Sequence, residues 1–307
     1  MRAGVKAALA LLPIAVLLAA CAGNAGTRPV PTPASPAPTP TPRPVSLPGD
    51  EAPHDDRLEW WYYNGHLEAE DGRELGFHFV IFQRMRQEAE RQVPSYTAHA
   101  TLMDMETGRH LAAAKASSAV QPQPDDGLSL DVDGWSLEGR PDGHRIEARS
   151  EDFSLLLELV PQKPVALHNE SGWLGGSFTG WTYYYSWTRM RTNGEVTLEG
   201  ETYEVTGQSW MDHQWGDFFV FGKPGGWQWL AIQLEDGTDI MVTETRNTAG
   251  EVDALFGTLV EPDGTARPLR PGEGLIELEE TGSWRSPHTG ALYPQAWRVR
   301  LPEHGLD

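Results

Sequence analysis

The segment with the clearest chemical potential is residues 207–217, where an aspartate and a histidine stand side by side between tryptophans, with glycines near both ends. Side chains alternate between the two faces of a strand, so Asp212 shares a face with Trp210 and Gln214, while His213 points the other way. Burial against indole favours the neutral carboxyl group, because desolvation penalises the anion. Such a group can act as a general acid near neutral pH. The alternative is a structural aspartate that accepts hydrogen bonds from turn amides.

A second segment, residues 180–189, carries aromatic rings at most of its positions. In a strand, one face would hold a row of four rings, namely Trp181, Tyr183, Tyr185 and Trp187. A concave aromatic wall suits a long apolar or polyene ligand, and buried tyrosine hydroxyls need hydrogen-bond partners. The alternative is a strand packed between two sheets.

A third aromatic segment covers residues 59–67. One face of this strand would carry Trp60, Tyr62, Asn64 and His66, and the other Trp61, Tyr63 and Leu67. Large aromatics on both faces require that both are covered or that one lines a cavity. Core packing and ligand binding therefore both stay open for this segment.

Several other catalytic and binding patterns are absent from the sequence. It has no cysteine nucleophile in the globular part, no Gly-x-Ser-x-Gly turn and no Gly-rich phosphate loop. No histidine pair has the spacing of a zinc site on a helix, so neither a metal nor a cofactor is expected, although His78, His99, His213 and an aspartate could converge in space. A net charge of −20 argues against nucleic acid and anionic lipid as partners.

The first 20 residues resemble a secretory signal peptide, with Arg2 and Lys6 before an apolar run that ends at Ala20. This run is shorter than the about 20 residues of a transmembrane helix, although a spanning anchor with an incidental cysteine is the alternative. Cys21, the only cysteine, stands where lipoprotein processing attaches acyl chains. Because alanine rather than aspartate follows it, resemblance to Gram-negative lipoproteins predicts an outer-membrane anchor facing the periplasm, with the lipid as the only membrane contact.

The elements that must position these residues are predicted to be strands. Residues 21–50 are rich in proline and are expected to form an extended tether. Beyond them, short aromatic and β-branched runs alternate with turn signals such as Asp71-Gly72, Asn193-Gly194 and Asp236-Gly237. Only residues 84–91 could form a helical turn or two, so the sequence predicts an all-β fold.

A short internal repeat indicates two related barrels. Trp60 and Trp227 precede a Leu-Glu pair by the same interval, and an Asp-Gly turn follows each pair. The domains are therefore predicted to cover residues 51–225 and 226–307. The second copy has about half the length of the first, so its barrel is expected to be incomplete.

The same segments resemble the lipocalin-like family that includes carotenoid 1,2-hydratase (hydroxyneurosporene synthase) and AttH-like secreted proteins labelled as predicted hydrolases. The resemblance lies in residues 59–67, 77–84, 99–104 and 207–216. It implies two consecutive lipocalin-like barrels. It also implies that Asp212 is the acid that protonates a carbon–carbon double bond, with Trp210 in place of the family's tyrosine and an aromatic partner near Tyr183 or Tyr185.

The function expected from this resemblance is acid-catalysed hydration of an isoprenoid-like alkene by a lipid-anchored hydro-lyase. Trp210 and Tyr185 would stabilise the carbocation, and His213 or the Asp212 carboxylate would activate water. The residues expected to bind the hydrophobic ligand are Trp60, Tyr62, His99, Tyr183, Gln214 and Trp215. The rival hypothesis is a non-catalytic carrier or chaperone for a hydrophobic molecule at the membrane, and a third is a secreted hydrolase.

Overall fold

A computed structural model describes residues 39–119, 121, 127–140, 142–175, 180–218, 226–247, 249–270 and 276–306. The signal peptide, Cys21 and most of the tether lie outside these residues. The boundary predicted at 225 also falls outside them, so the division into domains stays a prediction. Within the described residues the chain is almost wholly β-structure, which confirms the all-β expectation.

The described residues form eighteen strands and two short 3-10 helices, Gly49–Glu51 and Pro302–His304. In chain order the strands are β1 Leu58–Ala69, β2 Glu74–Glu88, β3 Arg91–Asp104, β4 His110–Ser117, β5 Ser129–Val132, β6 Trp135–Arg140, β7 Gly143–Arg149, β8 Phe153–Pro161, β9 Ala166–Leu167, β10 Trp173–Gly175, β11 Trp181–Leu198, β12 Glu201–Asp217, β13 Trp227–Gln233, β14 Asp239–Arg246, β15 Val252–Val260, β16 Ala266–Leu269, β17 Glu277–Arg285 and β18 Leu292–Arg300.

The largest sheet is an antiparallel, nearly closed barrel. Its strands follow the order β4-β3-β2-β1-β12-β11-β8-β7-β6-β5, and β9 and β10 also pair with β11. The edge strand β5 contacts β3 and β4, which brings the two ends of the sheet together. Such closure covers strand edges that would otherwise offer unpaired backbone groups. The strands β1, β11 and β12 are neighbours in this sheet, so the three aromatic segments of the sequence lie side by side.

The barrel interior is filled by side chains from alternate strand positions. In β1, Trp61 and Tyr63 are fully buried and belong to the main hydrophobic core, together with residues of β2, β3, β7, β8 and β11. Each buried aromatic or aliphatic side chain of this size stabilises the fold by about 1.5–3 kcal/mol. The inward-facing side chains of the barrel strands therefore form the hydrophobic core.

Two local predictions were wrong. Residues 84–91 do not form a helical turn, because β2 and β3 continue into a long hairpin there and pair as far as Glu88 and Arg91. Asn193-Gly194 is not a turn but lies inside β11. A β-carbon at Gly194 would collide with the carbonyl oxygen of Leu156 on β8, so glycine serves the close approach of the two strands.

A second, four-stranded sheet packs against the outer face of the barrel. Its order is β13-β14-β15-β16, and the pair β17-β18 forms a separate hairpin. A small hydrophobic cluster joins this sheet to the barrel and includes Tyr184, Trp210, Trp229, Met241 and Phe256. The outer face of β11 and β12 is thus covered, while the side chains on it are kept apart from the barrel core.

A buried ion cluster also connects the two sheets. The carboxylate of Asp239 on β14 lies 2.7 Å from Lys163 Nζ and 2.7 Å from Arg189 Nη2, and it accepts a hydrogen bond from Thr188 at 2.9 Å. Asp239 is fully buried. A buried carboxylate needs such partners, since an unpaired charge is costly in a dry environment.

The end of the predicted tether is packed on the barrel. Val45 and Leu47 contact the main core, and the buried Asp50 carboxylate binds Arg43 at 2.5 and 2.6 Å. The last residues of the proline-rich segment therefore belong to the folded part. None of the helices in the described part of the chain has the length and hydropathy needed to cross a membrane.

Candidate active site

Asp212 lies in the middle of β12, between β1 and β11. Its direct cross-strand neighbours are Tyr62 on β1 and Ser186 on β11. Directly opposed residues of an antiparallel pair point to the same face of the sheet. Asp212, Tyr62 and Ser186 therefore share the outer face, which the second sheet covers.

Three side chains donate hydrogen bonds to the Asp212 carboxylate. Trp210 Nε1 donates to Oδ1 at 2.7 Å, Tyr184 Oη donates to Oδ2 at 2.8 Å, and Ser186 Oγ donates to Oδ1. Asp212 as a whole is 3% exposed. Since Asp212 lies inside a strand and these three donors are side chains, it is not an aspartate that caps a turn.

Aromatic rings of both sheets enclose this carboxyl group. Trp229 on β13 donates from Nε1 to Tyr184 Oη at 3.1 Å. Its ring lies 6.2 Å from the Trp210 ring at an angle of 81°, and 5.5 Å from the Tyr62 ring at an angle of 65°. The acid is thus held among indole and phenol rings at the junction of the two sheets.

The environment of Asp212 makes its proton harder to remove than that of a solvent-exposed carboxyl group. Burial raises the pKa of Asp212 to about 6, although the hydrogen bonds from Ser186, Trp210 and Tyr184 oppose this rise. Burial, followed by the nearby Asp212 charge, raises the pKa of Tyr62 to about 12 and raises the pKa of Tyr184 well above its usual value. Both phenols therefore stay neutral near pH 7, and Tyr184 remains a donor to Asp212. A carboxyl group with a pKa near 6 can give and take a proton at physiological pH.

Ser186 is itself held by a buried histidine. His168, which follows β9, lies with Nε2 at 2.8 Å from Ser186 Oγ and Nδ1 at 2.8 Å from Thr258 Oγ1 on β15. Burial lowers the pKa of His168 to about 3, so the ring is neutral. A continuous line of hydrogen bonds therefore runs from the second sheet to Asp212.

The structure divides the predicted site residues between the two faces of the sheet. Tyr185 pairs with His213 in the register of β11 and β12, and Tyr183 pairs with Trp215. All four are buried in the barrel core. The expected placement of Tyr185 beside Asp212 is corrected, because the register sets Ser186, and not Tyr185, opposite the acid. Tyr184 takes the aromatic position instead.

His213 belongs to a separate network inside the barrel. Its Nε2 lies 2.7 Å from Glu59 Oε1, which also lies 2.7 Å from His54 Nδ1, and its Nδ1 lies 3.0 Å from Tyr185 Oη. Burial lowers the pKa of His213 despite its Glu59 partner. Neutral His213 therefore donates to Glu59 and accepts from Tyr185, which leaves no ring nitrogen to activate water beside Asp212.

The only group of described residues with three metal-ligand atoms within 4.8 Å of one another is His54, Glu59 and His213. Burial would raise the pKa of Glu59, but the hydrogen bonds from His213 and His54 lower it. Burial would lower the pKa of His54, but the hydrogen bonds to Asp50 and Glu59 raise it to about 9. Both histidines already hydrogen-bond to the Glu59 carboxylate, so the three residues form an ionic hydrogen-bond network. His78 and His99 lie on the opposite face from His213 and do not join it.

The remaining predicted ligand residues lie on the outer face. Trp60 packs against Phe82 and Phe218, and the exposed His99 ring lies 5.8 Å from Phe82. Gln214 is buried beside Tyr184, and its Nε2 has no hydrogen-bond partner in the described part of the chain.

An open cleft of about 440 Å³ runs along the outer face and is lined by Asn64, His66, His78, Met103, Trp210 and Gln233, among others. Trp210 therefore contacts both the cleft and the acid.

Sequence reasoning missed four residues of the site, namely His168, Tyr184, Ser186 and Trp229. Tyr184 and Ser186 stand in an aromatic segment that was recognised, but the strand register decides which alternate positions face Asp212. Trp229 and His168 come from strands and loops distant in sequence. The internal repeat that begins at Trp227 could have drawn attention to Trp229, two residues later. Nothing in the sequence distinguishes His168 from the other histidines.

The fold and site together define a lipocalin-like β-barrel protein with a buried, hydrogen-bonded acid at the junction of two sheets. A family model described as AttH-like matches residues 38–307, and the chain belongs to this AttH-like family. The resemblance seen in the sequence is thereby confirmed. No curated protein sequence matches the chain significantly.

Two solved structures share the architecture. The crystal structure of a protein assigned as AttH from Nitrosomonas europaea is 29% identical, with a TM-score of 0.76, and the match covers 86% of this chain and 83% of that one. Kievitone hydratase from Nectria haematococca is 14% identical, with a TM-score of 0.64, and the match covers 87% and 81% of the two chains. The second likeness shows the shared fold, in agreement with the lipocalin-like barrel predicted from the sequence.

Proposed function

We propose that this chain catalyses the acid-dependent hydration of a carbon–carbon double bond in a hydrophobic, isoprenoid-like ligand, with Asp212 as the acid. One observation carries the proposal: the Asp212 carboxyl is buried among three side-chain donors and two indole rings, with its pKa raised to about 6. A buried carboxyl group of this kind is a suitable proton donor for an uncharged substrate such as an alkene.

The proposed reaction has two proton transfers. Asp212 gives its proton to one alkene carbon, and the other carbon becomes a tertiary cation. The indole faces of Trp210 and Trp229 stabilise this cation by about 2 kcal/mol or more when water is excluded. A water molecule then forms the new C–O bond, and its proton returns to the Asp212 carboxylate, so that the alkene and water together give the alcohol.

Gln214 is the residue proposed to position the water. It lies on the same face as Asp212, two residues further along β12, and its buried amide nitrogen has no partner in the described structure. An unsatisfied buried donor favours a bound polar group. This residue replaces His213 in the expected mechanism, because His213 faces the barrel core.

The fold is compatible with this chemistry. Kievitone hydratase, by its name a hydratase, shares the architecture at a TM-score of 0.64. At 14% identity the residues of the two sites are not transferable. The proposal therefore depends on the geometry around Asp212.

The test is isotopic. The full chain and its Asp212→Asn variant are incubated with a panel of isoprenoid alkenes in H₂¹⁸O, and the products are examined for ¹⁸O by mass spectrometry. We expect ¹⁸O in a tertiary alcohol with the unmodified chain and none with the variant. Asp217→Asn is the matched control, because Asp217 ends the same strand and pairs with the exposed Arg57. Normal incorporation by Asp212→Asn would rule out the acid assignment.

A carrier is the second candidate, and one observation favours it. Asp212 does not line the open cleft of about 440 Å³, whereas Trp210, Met103 and Phe77 do. A carrier would retain a hydrophobic molecule through purification without converting it. Extraction of the purified chain, followed by mass spectrometry, would then give one unaltered ligand in amounts close to one per chain, and Asp212→Asn would leave that amount unchanged.

The hydrolase alternative would use Ser186 as the nucleophile and His168 as its base, which lie 2.8 Å apart. The geometry disfavours it for two reasons. With an ionised Asp212 the Ser186 hydroxyl donates to Asp212 and not to His168, and burial lowers the pKa of His168 to about 3, which makes the ring a weak base. A hydrolytic serine must be free to give its proton to the base and to reach the substrate.

The predicted signal peptide leads to a proposed location. We propose that the chain is processed at Cys21 and attached by its acyl chains to a membrane outside the cytoplasm, namely the periplasmic face of the outer membrane in a Gram-negative cell. Two or three acyl chains give stable anchoring, whereas one gives only marginal binding. Fractionation of cells that express Cys21→Ser should recover the protein in the soluble fraction, and unchanged membrane retention would contradict the proposal.

A further inference from the structure

His168 is a buried titratable residue that the proposed reaction does not use. Its two ring nitrogens contact two hydroxyl groups from different sheets, Ser186 on the barrel and Thr258 on β15. Its ring also lies 4.0 Å from the ring of Tyr184. No part of His168 is exposed to solvent.

The direction of each hydrogen bond in this line follows from the number of hydrogens available. The Ser186 hydroxyl gives its single hydrogen to Asp212, so it must accept from His168 Nε2. A neutral imidazole has one N–H, and its other nitrogen is an acceptor. Nδ1 of His168 therefore accepts a hydrogen bond from Thr258. With an ionised Asp212, every donor in the line points towards the carboxylate.

A proton on Asp212 allows the opposite direction. Protonated Oδ1 becomes a donor to Ser186, which then donates to Nε2 of His168, and Nδ1–H of His168 donates to Thr258. The neutral ring changes tautomer between the two states while its charge stays zero. The hydrogen-bond distances given above suit both directions.

We propose that His168 is a positioning residue that links the protonation of Asp212 to Thr258 of the second sheet through Ser186. This inference rests on the proposed role of Asp212 as an acid. It predicts that the affinity of the acid for its proton depends on how β15 packs against the barrel, although no β15 side chain donates directly to Asp212. Cooperative polarisation along buried hydrogen-bond chains is the physical basis.

The other titratable groups that face Asp212 are phenols. Tyr62 on β1 and Tyr184 on β11 surround it, and the neighbouring residue on β13 is the non-titrating Trp229. Both phenols have a raised pKa and remain neutral up to strongly alkaline pH. Between pH 5 and 8, Asp212 is therefore the group whose titration would reorient the line.

The tautomer of His168 is directly measurable. In the full chain labelled with ¹⁵N-histidine, nitrogen shifts distinguish the protonated from the unprotonated ring nitrogen of a neutral imidazole. We expect the His168 hydrogen to move from Nδ1 to Nε2 as the pH rises through the titration of Asp212, followed in parallel with ¹³C-aspartate. A single tautomer from pH 5 to 8, while Asp212 titrates, would overturn the proposal.

Substitution of Thr258, which does not contact Asp212, provides a second test of the link. Thr258→Val removes the hydroxyl at nearly constant shape, and we expect it to raise the pKa of Asp212 by about 0.5 to 1, because Nδ1 of His168 loses the donor that favours the tautomer donating to Ser186. Thr258→Ser should restore the original titration. Thr245→Val is the control, since the buried Thr245 hydroxyl has no hydrogen-bond partner in the described structure.

An unchanged Asp212 titration in Thr258→Val would also overturn the link. These measurements need no substrate, so they test the link between Asp212 and Thr258 independently of the proposed reaction. Loss of ¹⁸O incorporation in Asp212→Asn, together with a fixed His168 tautomer, would refute the link alone. A tautomer change together with full turnover by Asp212→Asn would refute the reaction alone.

Discussion

Trp229 and Tyr184 join the two sheets at the acid, because the indole nitrogen of Trp229 donates to the phenol oxygen of Tyr184 at 3.1 Å. Tyr184 in turn donates to Asp212 at 2.8 Å. Trp229 of the second sheet therefore positions Tyr184, which is a hydrogen-bond donor on the barrel. Packing of the second sheet over the barrel completes the environment of the carboxyl group.

The first prediction concerns Tyr184→Phe. Loss of a hydrogen bond to a charged group should raise the pKa of Asp212 by about one, since such bonds favour the ionised form. The buried Trp229 N–H also loses its acceptor, at a cost of about 1–3 kcal/mol in the free energy of unfolding. Carboxyl titration by ¹³C NMR and urea denaturation measure the two effects.

Tyr185→Phe is the matched control for that prediction. Tyr185 adjoins Tyr184 but faces the barrel core, where its hydroxyl lies 3.0 Å from His213 Nδ1. The variant should lose stability while the titration of Asp212 stays the same. An Asp212 pKa that responded equally to both variants would contradict the division of the two tyrosines between the faces.

The second prediction is the pH dependence of turnover. A general acid works in its protonated form, and the pKa of Asp212 is raised to about 6. The rate should therefore be half-maximal near pH 6 and fall about tenfold for each further pH unit above it. Rates measured from pH 5 to 8 check this, and a rate that rose with pH would indicate a base instead.

The third prediction concerns the buried ion cluster. Asp239→Asn leaves Lys163 and Arg189 without their shared carboxylate, and removal of one partner from a buried pair costs about 3–5 kcal/mol. The free energy of unfolding in urea should fall by this amount. The exposed pair of Glu277 and Arg300 is the comparison, where Glu277→Gln should cost less than about 1 kcal/mol.

The fourth prediction follows from His54, whose pKa is raised from 6.5 to about 9. A histidine with a raised folded-state pKa stabilises the fold fully below pH 6.5, and this contribution is lost as the pH rises through 9. The free energy of unfolding should thus decrease by about 3 kcal/mol between pH 6.5 and pH above 9. His54→Gln should remove this slope, whereas the exposed His304→Gln should preserve it.

The site was predictable from the sequence where it depended on neighbours along one strand. Asp212 and Trp210 lie two residues apart in a strand, so their shared face follows from alternation, and the structure adds a hydrogen bond of 2.7 Å. The sequence did not predict which tyrosine of β11 donates to Asp212. A register shift of one position exchanges Tyr184 for Tyr185, and both residues are tyrosines in an unbroken aromatic run.

The sequence by itself determined the all-β class and the family and singled out Asp212 as the candidate acid, because strand alternation, turn residues and local motifs are properties of adjacent positions. The tertiary structure alone decided which face each aromatic row occupies and which distant residues complete the site. His168, Ser186 and Trp229 meet around Asp212 only through strand register and the packing of the second sheet. Such contacts depend on the pairing of segments far apart in the chain, which no local pattern of residues specifies.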